Sequence, residues 1–325
     1  LHVVSIDGVV SWTQDVKFEG VEAPDVYHAG QAMAVSADGK TLVVGANRFG
    51  TQVGTVIVYA WQEDDSSWAE ATRLYPSGDA AAGEGFGKAL ALSSDGTKLV
   101  VGAPDADIRG FVDAGAVYAF AKDGASWSQV GVYDAAGTEV NVGTEQQLLT
   151  HFGRAVDIAV APFANQRIGI AVGGLDYAGL VSLHSDWSYH ELIDYFAPSV
   201  DEDYGASVAL VYNQFDWWKF FIGAPKAKVE GKSEVGTVYH NTGSPLEPTD
   251  PVSGERFGSS LDAAVTNDLV TLVVGSPNWD DPTKDPPGAY GRAFIFEMEF
   301  KNRQDVDLNE FTLTARLTAG GGLPT

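Results

Sequence analysis

An all-β propeller of four-stranded antiparallel blades is the fold class this sequence predicts, and three observations predict it. A stretch opening on glycine recurs five times, with its first glycines at 30, 87, 153, 205 and 258. Four of the five copies carry an aromatic just before that glycine: Phe86, Phe152, Tyr204 and Phe257. Second landmarks follow at Gly45-Ala46-Asn47, Gly102-Ala103-Pro104, Gly173-Gly174-Leu175, Gly223-Ala224-Pro225 and Gly275-Ser276-Pro277. The opening glycines are 57, 66, 52 and 53 residues apart, a period that belongs to propellers and solenoids rather than to one irregular domain.

One repeat reads as one blade. Lys88 to Ser93 alternates as a strand does, and Asp95-Gly96 supplies the positive φ of a tight hairpin. Leu99-Val100-Val101 is a short buried run that Pro104 ends, because proline cannot donate to a ladder. A polar loop from Asp105 to Ala114 leads to a third strand, Ala116 to Phe120. Asp123-Gly124 turns the chain into a fourth strand, Trp127 to Tyr133. Inner strands carry small residues (Ala32, Ala34, Ala89, Ala91, Ser259, Ser260), as crowding near a hub demands. Trp12, Trp68, Trp127 and Trp187 open fourth strands and read as blade packing.

The repeats fill residues 1–325, so the chain reads as one domain with repeats beginning near 27, 84, 150, 203 and 255. Residues 1–20 match the third and fourth strands of a further blade, which predicts a half-blade and a ring of six or seven blades. Propellers often close by sharing a blade between their termini, which removes exposed edges. The start of the chain lacks an initiator Met and a signal-like segment, so the chain is expected to be processed or part of something longer.

Hydrophobic residues make up 45% of the chain, ample for a packed core, yet no apolar run reaches the length of a membrane span. The net charge of -24 argues against nucleic acid and anionic membranes as partners. Cysteine is absent, which excludes disulfides and thiolate metal chemistry. No Asn begins an N-glycosylation acceptor.

The order Phe86-Gly87, Gly102-Ala103-Pro104, Gly115-Ala116-Val117-Tyr118, five times over, resembles the FG-GAP repeats of the integrin α-subunit-like β-propeller family. That resemblance implies an extracellular or cell-surface adhesion or scaffold module without catalysis. Integrin propellers carry calcium loops between the first and second strands. Here those hairpins, such as Ala37-Asp38-Gly39-Lys40 and Ser94-Asp95-Gly96-Thr97, lack the alternating oxygen ligands calcium requires.

In a meander, alternate connections share a face. The second-to-third-strand loops therefore gather Asp105, Asp107, Arg109 and Asp113, then Asp176 and Tyr177, then Lys226 and Lys228, then Trp279, as a candidate binding face. Asp105, Asp107 and Asp113, and separately Asp280, Asp281 and Asp285, are candidate calcium ligands, because hard cations take carboxylates from flexible loops. An acidic residue recurs before the opening glycine (Asp25, Glu84, Asp203, Glu255), expected to accept backbone N–H groups in the links. No HExxH, nucleophile–His–Asp spacing or phosphate-cradling loop appears. The expected function is non-catalytic: protein assembly or adhesion through propeller loops, with another protein subunit or a surface glycan as partner. One alternative is a carbohydrate-binding propeller using Trp217, Trp218 or Trp279. Another is a propeller hydrolase or lyase with a central-channel site, which the Ala, Ser and Val of the inner strands disfavour.

Overall fold

The computed structural model describes residues 2–6, 9–13, 26–49, 53–64, 66–77, 85–135, 139–142, 145–148, 150–161, 167–196, 202–212, 218–241, 244–266, 269–279, 291–299 and 311–318. Among them there is no helix. The first sheet runs β3 (Val26–Val35), β4 (Thr41–Phe49), β5 (Val53–Gln62) and β6 (Ser67–Leu74). The second runs β7 (Ala89–Leu92), β8 (Lys98–Ala103), β9 (Ala116–Asp123) and β10 (Ser126–Asp134). The third is β13 (Ala155–Val160), β14 (Ile168–Gly174), β15 (Tyr177–Leu183) and β16 (Tyr189–Phe196). The fourth holds β17 (Ser207–Tyr212), β18 (Trp218–Ala224) and β19 (Thr237–His240). The fifth holds β20 (Ser260–Thr266), β21 (Leu269–Ser276), β22 (Arg292–Glu299) and β23 (Thr312–Thr318). Each sheet is an antiparallel meander, as the strand registers show. The innermost strands β3, β7, β13, β17 and β20 pack in succession, which is the β-propeller arrangement.

Burial follows from that arrangement. Val100 on β8 joins a core shared by the second, third and fourth sheets, while its neighbours Leu99 and Val101 join one shared with the first sheet. Phe221 on β18 packs toward the fifth sheet, and Phe220 and Ile222 pack toward the third. Successive side chains of a strand point to opposite faces, so a sheet buried on both faces needs an unbroken apolar run.

The recurrent glycines make the joints. The opening Gly87, at φ 87, donates its N–H to the carbonyl of Gly102 in its own sheet at 3.1 Å. Gly153, Gly205 and Gly258 do the same to Gly173, Gly223 and Gly275. The carbonyl of each opening glycine then presses on the preceding sheet. A Cβ on Gly45, Gly102, Gly173 or Gly223 would lie 2.0 to 2.1 Å from the oxygen of Gly87, Gly153, Gly205 or Gly258. No side chain fits there. The preceding aromatic is buried beside the third strand of its own sheet: Phe86 on Tyr118, Tyr204 on Tyr239 and Phe257 on Phe294, edge-on or tilted at centroid distances of 5.2, 5.3 and 5.0 Å.

Three features depart from the sequence reading. The fourth sheet shows three strands among the described residues, where four are expected. Leu246 makes only an isolated bridge to Val238. Pro245, Pro248 and Pro251 crowd that segment, and each removes an N–H that a fourth strand needs. The longest spacing, between Gly87 and Gly153, accommodates an extra hairpin of β11 (Glu139–Val142) and β12 (Glu145–Leu148). The third sheet has almost no second-to-third-strand loop, because Leu175 and Asp176 alone separate β14 from β15. Of the six or seven blades expected, the described residues supply five sheets and the hairpin of β1 (His2–Ile6) with β2 (Val9–Thr13).

Candidate functional site

Two of the second-to-third-strand loops are copies of one rigid hairpin. In the second sheet Ile108 and Phe111 exchange backbone hydrogen bonds of 3.1 and 2.9 Å, and Gly115 donates to Ala106 at 3.0 Å. In the fourth sheet Val229 and Lys232 exchange bonds of 3.2 and 2.9 Å, and Gly236 donates to Ala227 at 3.0 Å. Arg109 and Glu230 take matching positive φ values of 52 and 51, and Asp113 and Glu234 both take 51. Ala106 and Ile108 anchor the first loop in the core, as Ala227 and Val229 anchor the second.

The side chains these loops present are inverted in charge at three of four matching positions, and the fourth stays acidic. Asp105, Asp107, Arg109 and Asp113 in one stand where Lys226, Lys228, Glu230 and Glu234 stand in the other. The tip of the second-sheet loop also exposes Phe111 and Val112, at 39% and 71%. The fourth-sheet loop places Lys232 and Ser233 there. Asp107 accepts the Asp113 N–H at 2.9 Å, which fixes the loop, and Arg109 pairs with Asp134 at 3.0 Å.

Where the loop meets the next sheet, Asp105, Asp113 and His151 bring ligand atoms within 4.8 Å of one another. Lys88 holds Asp105 at 3.0 Å, and the His151 Nε2 lies 4.0 Å from Asp105 Oδ1. The His151 N–H donates to the Asp113 carbonyl at 2.7 Å, so the two residues share a backbone contact as well. Asp107 of the expected calcium set faces the loop backbone instead. Asp280, Asp281 and Asp285 lie outside the described residues.

Other expected contact residues have structural posts. Tyr177 is not a loop residue: it is 1% exposed on β15 and packs against Phe152, and Asp176 is buried in the tight turn before it. The sequence reading placed both on a loop by analogy with repeats whose loops are longer. Trp279 stacks on the Arg292 guanidinium, 4.9 Å from its ring centre. Arg292 in turn is buried in an ion pair with Glu255 at 2.6 Å. Trp218 packs over Gly169 of the third sheet and edge-on to Tyr212, while Trp217 lies outside the described residues. Of the acidic residues before the opening glycines, Glu255 accepts the Val252 N–H at 2.8 Å. Asp203 instead pairs with the Arg154 side chain, and Asp25 and Glu84 lie outside the described residues. The first-to-second-strand hairpins satisfy themselves: Asp38 accepts Ser36 Oγ and the Lys40 N–H, and Asp95 accepts Ser93 Oγ and the Thr97 N–H.

Sequence reasoning missed two carboxylates on the inner strands. Asp157 on β13 accepts the Leu210 N–H of the neighbouring sheet at 2.7 Å and the Ile158 N–H at 2.8 Å. Burial raises its pKa to about 7 against the lowering effect of those bonds, and the charge of Asp262 on β20 adds to the rise. Both residues stand four places after an opening glycine, where the other repeats have Ala34, Ala91 and Ala209. That fixed offset is the signal that could have found them. A buried basic pair was also missed. Lys219 on β18 is 2% exposed, lies 5.3 Å from the Phe311 ring centre and is lowered to about 8 by burial. His240 on β19 is lowered to about 4, first by burial and then by the Lys219 charge.

No helix among the described residues is long and apolar enough to cross a membrane. No curated protein matches the chain. Among solved structures, the periplasmic gluconolactonase PpgL of Pseudomonas aeruginosa shares 12% identity, covering 97% of this chain and 90% of that one at a TM-score of 0.48. A functionally unknown protein of Desulfotomaculum acetoxidans shares 9% identity, covering 89% and 70% at a TM-score of 0.46. The model of the FG-GAP repeat family matches residues 68–120, from the last strand of the first sheet into the third strand of the second. With the aromatic, the glycines and the joints they make in place there, residues 68–120 are an FG-GAP repeat.

Proposed function

We propose that this chain is a non-catalytic binding and assembly module that acts outside the cell or at its surface. Its partner is a protein, held by the face that carries the second-to-third-strand loops. The observation that carries this reading is the paired hairpins, one backbone presented twice with the charge reversed at three matching positions. A rigid loop loses little entropy on binding, and a face with an acidic and a basic pole selects partners by charge complementarity. The exposed Phe111 and Val112 give the acidic pole an apolar centre. Of the tryptophans offered as sugar platforms, Trp218 and Trp279 are engaged by Gly169 and Arg292, which favours a protein over a glycan.

The test is retention of surface proteins from an extract by immobilised chain, with Lys226→Glu/Lys228→Glu/Lys232→Glu and Phe111→Ser as variants. The expected result is retention that weakens with salt and is lost in both variants. Retention unchanged in both would overturn the reading. A second reading, a hydrolase or lyase working in the channel, is favoured by one observation: Asp157 has a pKa near neutrality, as a general acid or base needs. Turnover on a panel of esters and glycosides that disappears in Asp157→Asn would establish it in place of the first.

A further inference from the structure

Equivalent places in the repeat can be compared at two junctions between sheets. At the fourth-to-fifth junction they are Lys226, just after Pro225; Glu234, two before Gly236; and Arg256, two before the opening Gly258. Arg256 donates through Nε and Nη2 to Glu234 Oε2 at 3.0 and 2.8 Å, so a chain cation closes the junction. The backbones agree as well: Arg256 and His151 have φ values of 59 and 58, and each donates its N–H to the loop carbonyl, of Glu234 at 3.1 Å and of Asp113 at 2.7 Å. At the second-to-third junction the three places hold Asp105, Asp113 and His151. The lysine has become a carboxylate and the guanidinium an imidazole. Two oxygen donors and one nitrogen donor lie within 4.8 Å of one another, and the cation nearest them is Lys88, which pairs with Asp105 but does not take the place of Arg256. The Nδ1 of His151 is buried and has no hydrogen-bond partner among the described residues.

We infer that Asp105, Asp113 and His151 form a site for a divalent transition-metal ion of the zinc class, which replaces the Arg256–Glu234 pair as the clasp of this junction. The inference goes beyond the recognition reading and does not depend on it. The donor set decides the metal. Imidazole nitrogen with carboxylate oxygen suits zinc, cobalt and nickel, whereas calcium wants six to eight oxygens, which three side chains do not supply. Bonds of about 2.1 Å at tetrahedral angles place ligand atoms roughly 3.4 Å apart, so binding draws the loop and the link together by about 1 Å. Lys88 competes from the side, because its ammonium already pairs with Asp105.

The experiment uses the full chain, freed of metal by a chelator and titrated with zinc chloride and with calcium chloride in a calorimeter. Thermal melting is followed in parallel, and cobalt(II) absorption reports nitrogen ligation. His151→Asn and Asp113→Asn are the variants of choice, because both sites have positive φ and Asn tolerates it. The expected result is one zinc per chain, a melting midpoint that rises with zinc, and binding weakened about ten-fold or more in each variant, as loss of a metal-site group entails. Glu234→Gln, at the junction closed by arginine, leaves zinc binding unchanged. Absence of zinc binding, zinc binding equal in wild type and both variants, or calcium held as tightly as zinc would each overturn the inference. Melting of the zinc-free variants separates a fold defect from a lost ligand.

Discussion

Gly102 and Gly153 touch through main chain alone: the carbonyl oxygen of Gly153 occupies the space where a Cβ on Gly102 would lie, 2.0 Å away. Gly102→Ala therefore forces the second and third sheets apart, and backbone cannot step aside as a flexible side chain does. Overpacking of this kind costs about 1–3 kcal/mol, and this substitution falls at the upper end. Gly110→Ala, at a loop tip where nothing lies within 4 Å, carries only the strain of its positive φ. Denaturant midpoints of the two variants should separate clearly, with Gly102→Ala the less stable.

Arg292 links the buried Glu255 and Ser276 to the half-buried Trp279, since Ser276 Oγ also donates to Glu255 Oε2 at 3.1 Å. Replacing Arg292 with Met leaves the Glu255 carboxylate buried without its cation, which costs about 3–5 kcal/mol. Trp279→Ala removes the ring over the guanidinium and costs about 1–2 kcal/mol. Chemical unfolding checks both. A Trp279→Ala protein of unchanged stability would show that the stacking contributes nothing.

His240 and Lys219 make the fold sensitive to acid. Both are bases whose folded values, about 4 and about 8, lie below the ordinary 6.5 and 10.5. Between the folded and ordinary values the unfolded chain binds more protons, so stability falls as pH drops through that window. For His240 the window runs from about 6.5 down to about 4. His240→Phe keeps an aromatic ring near Phe221 and Phe311 and flattens the loss, seen in denaturant midpoints from pH 7 to 4. Lys219→Met removes a neighbouring charge and raises the His240 pKa, which NMR titration reads directly.

Asp157 gives the opposite slope. Its folded pKa of about 7 lies above the ordinary 3.8, so the stability it contributes is fully present below the ordinary value and is lost as pH rises through 7. Asp157→Asn retains an acceptor for the Leu210 N–H without the charge. Its advantage over wild type therefore grows from pH 5 to pH 8. Across pH 4 to 7 Asp157→Asn should therefore lose more stability on acidification than the wild type, in which the two slopes oppose, and His240→Phe should lose less.

The repeat landmarks were legible because each has a packing or main-chain duty that few residue types perform. Phe86 fills the space beside Tyr118, Gly87 bonds Gly102, and Gly102 leaves room for Gly153. Landmarks of that kind recur at fixed offsets whatever the loops do. Tyr177 was misplaced because its repeat shortens the loop to a tight turn, and the Gly173-Gly174 landmark looks the same with a long loop or a short one. The fourth-sheet edge was overread for a related reason: the repeat pattern outweighed three prolines. Asp105 and Asp113 were legible as ligand candidates, but His151 was not. It lies 38 residues after Asp113, and only the packing of one sheet on the next brings it there.

Since adjoining sheets meet through bare glycine backbone and shared apolar cores, the exposed side chains at the two hairpin tips carry little of the packing between sheets. Residues 106–112 and 227–233 are thereby interchangeable cassettes, a pair of sockets of one shape. Transplanting the lysine-bearing cassette into the second sheet would re-address that pole of the molecule while leaving its architecture alone.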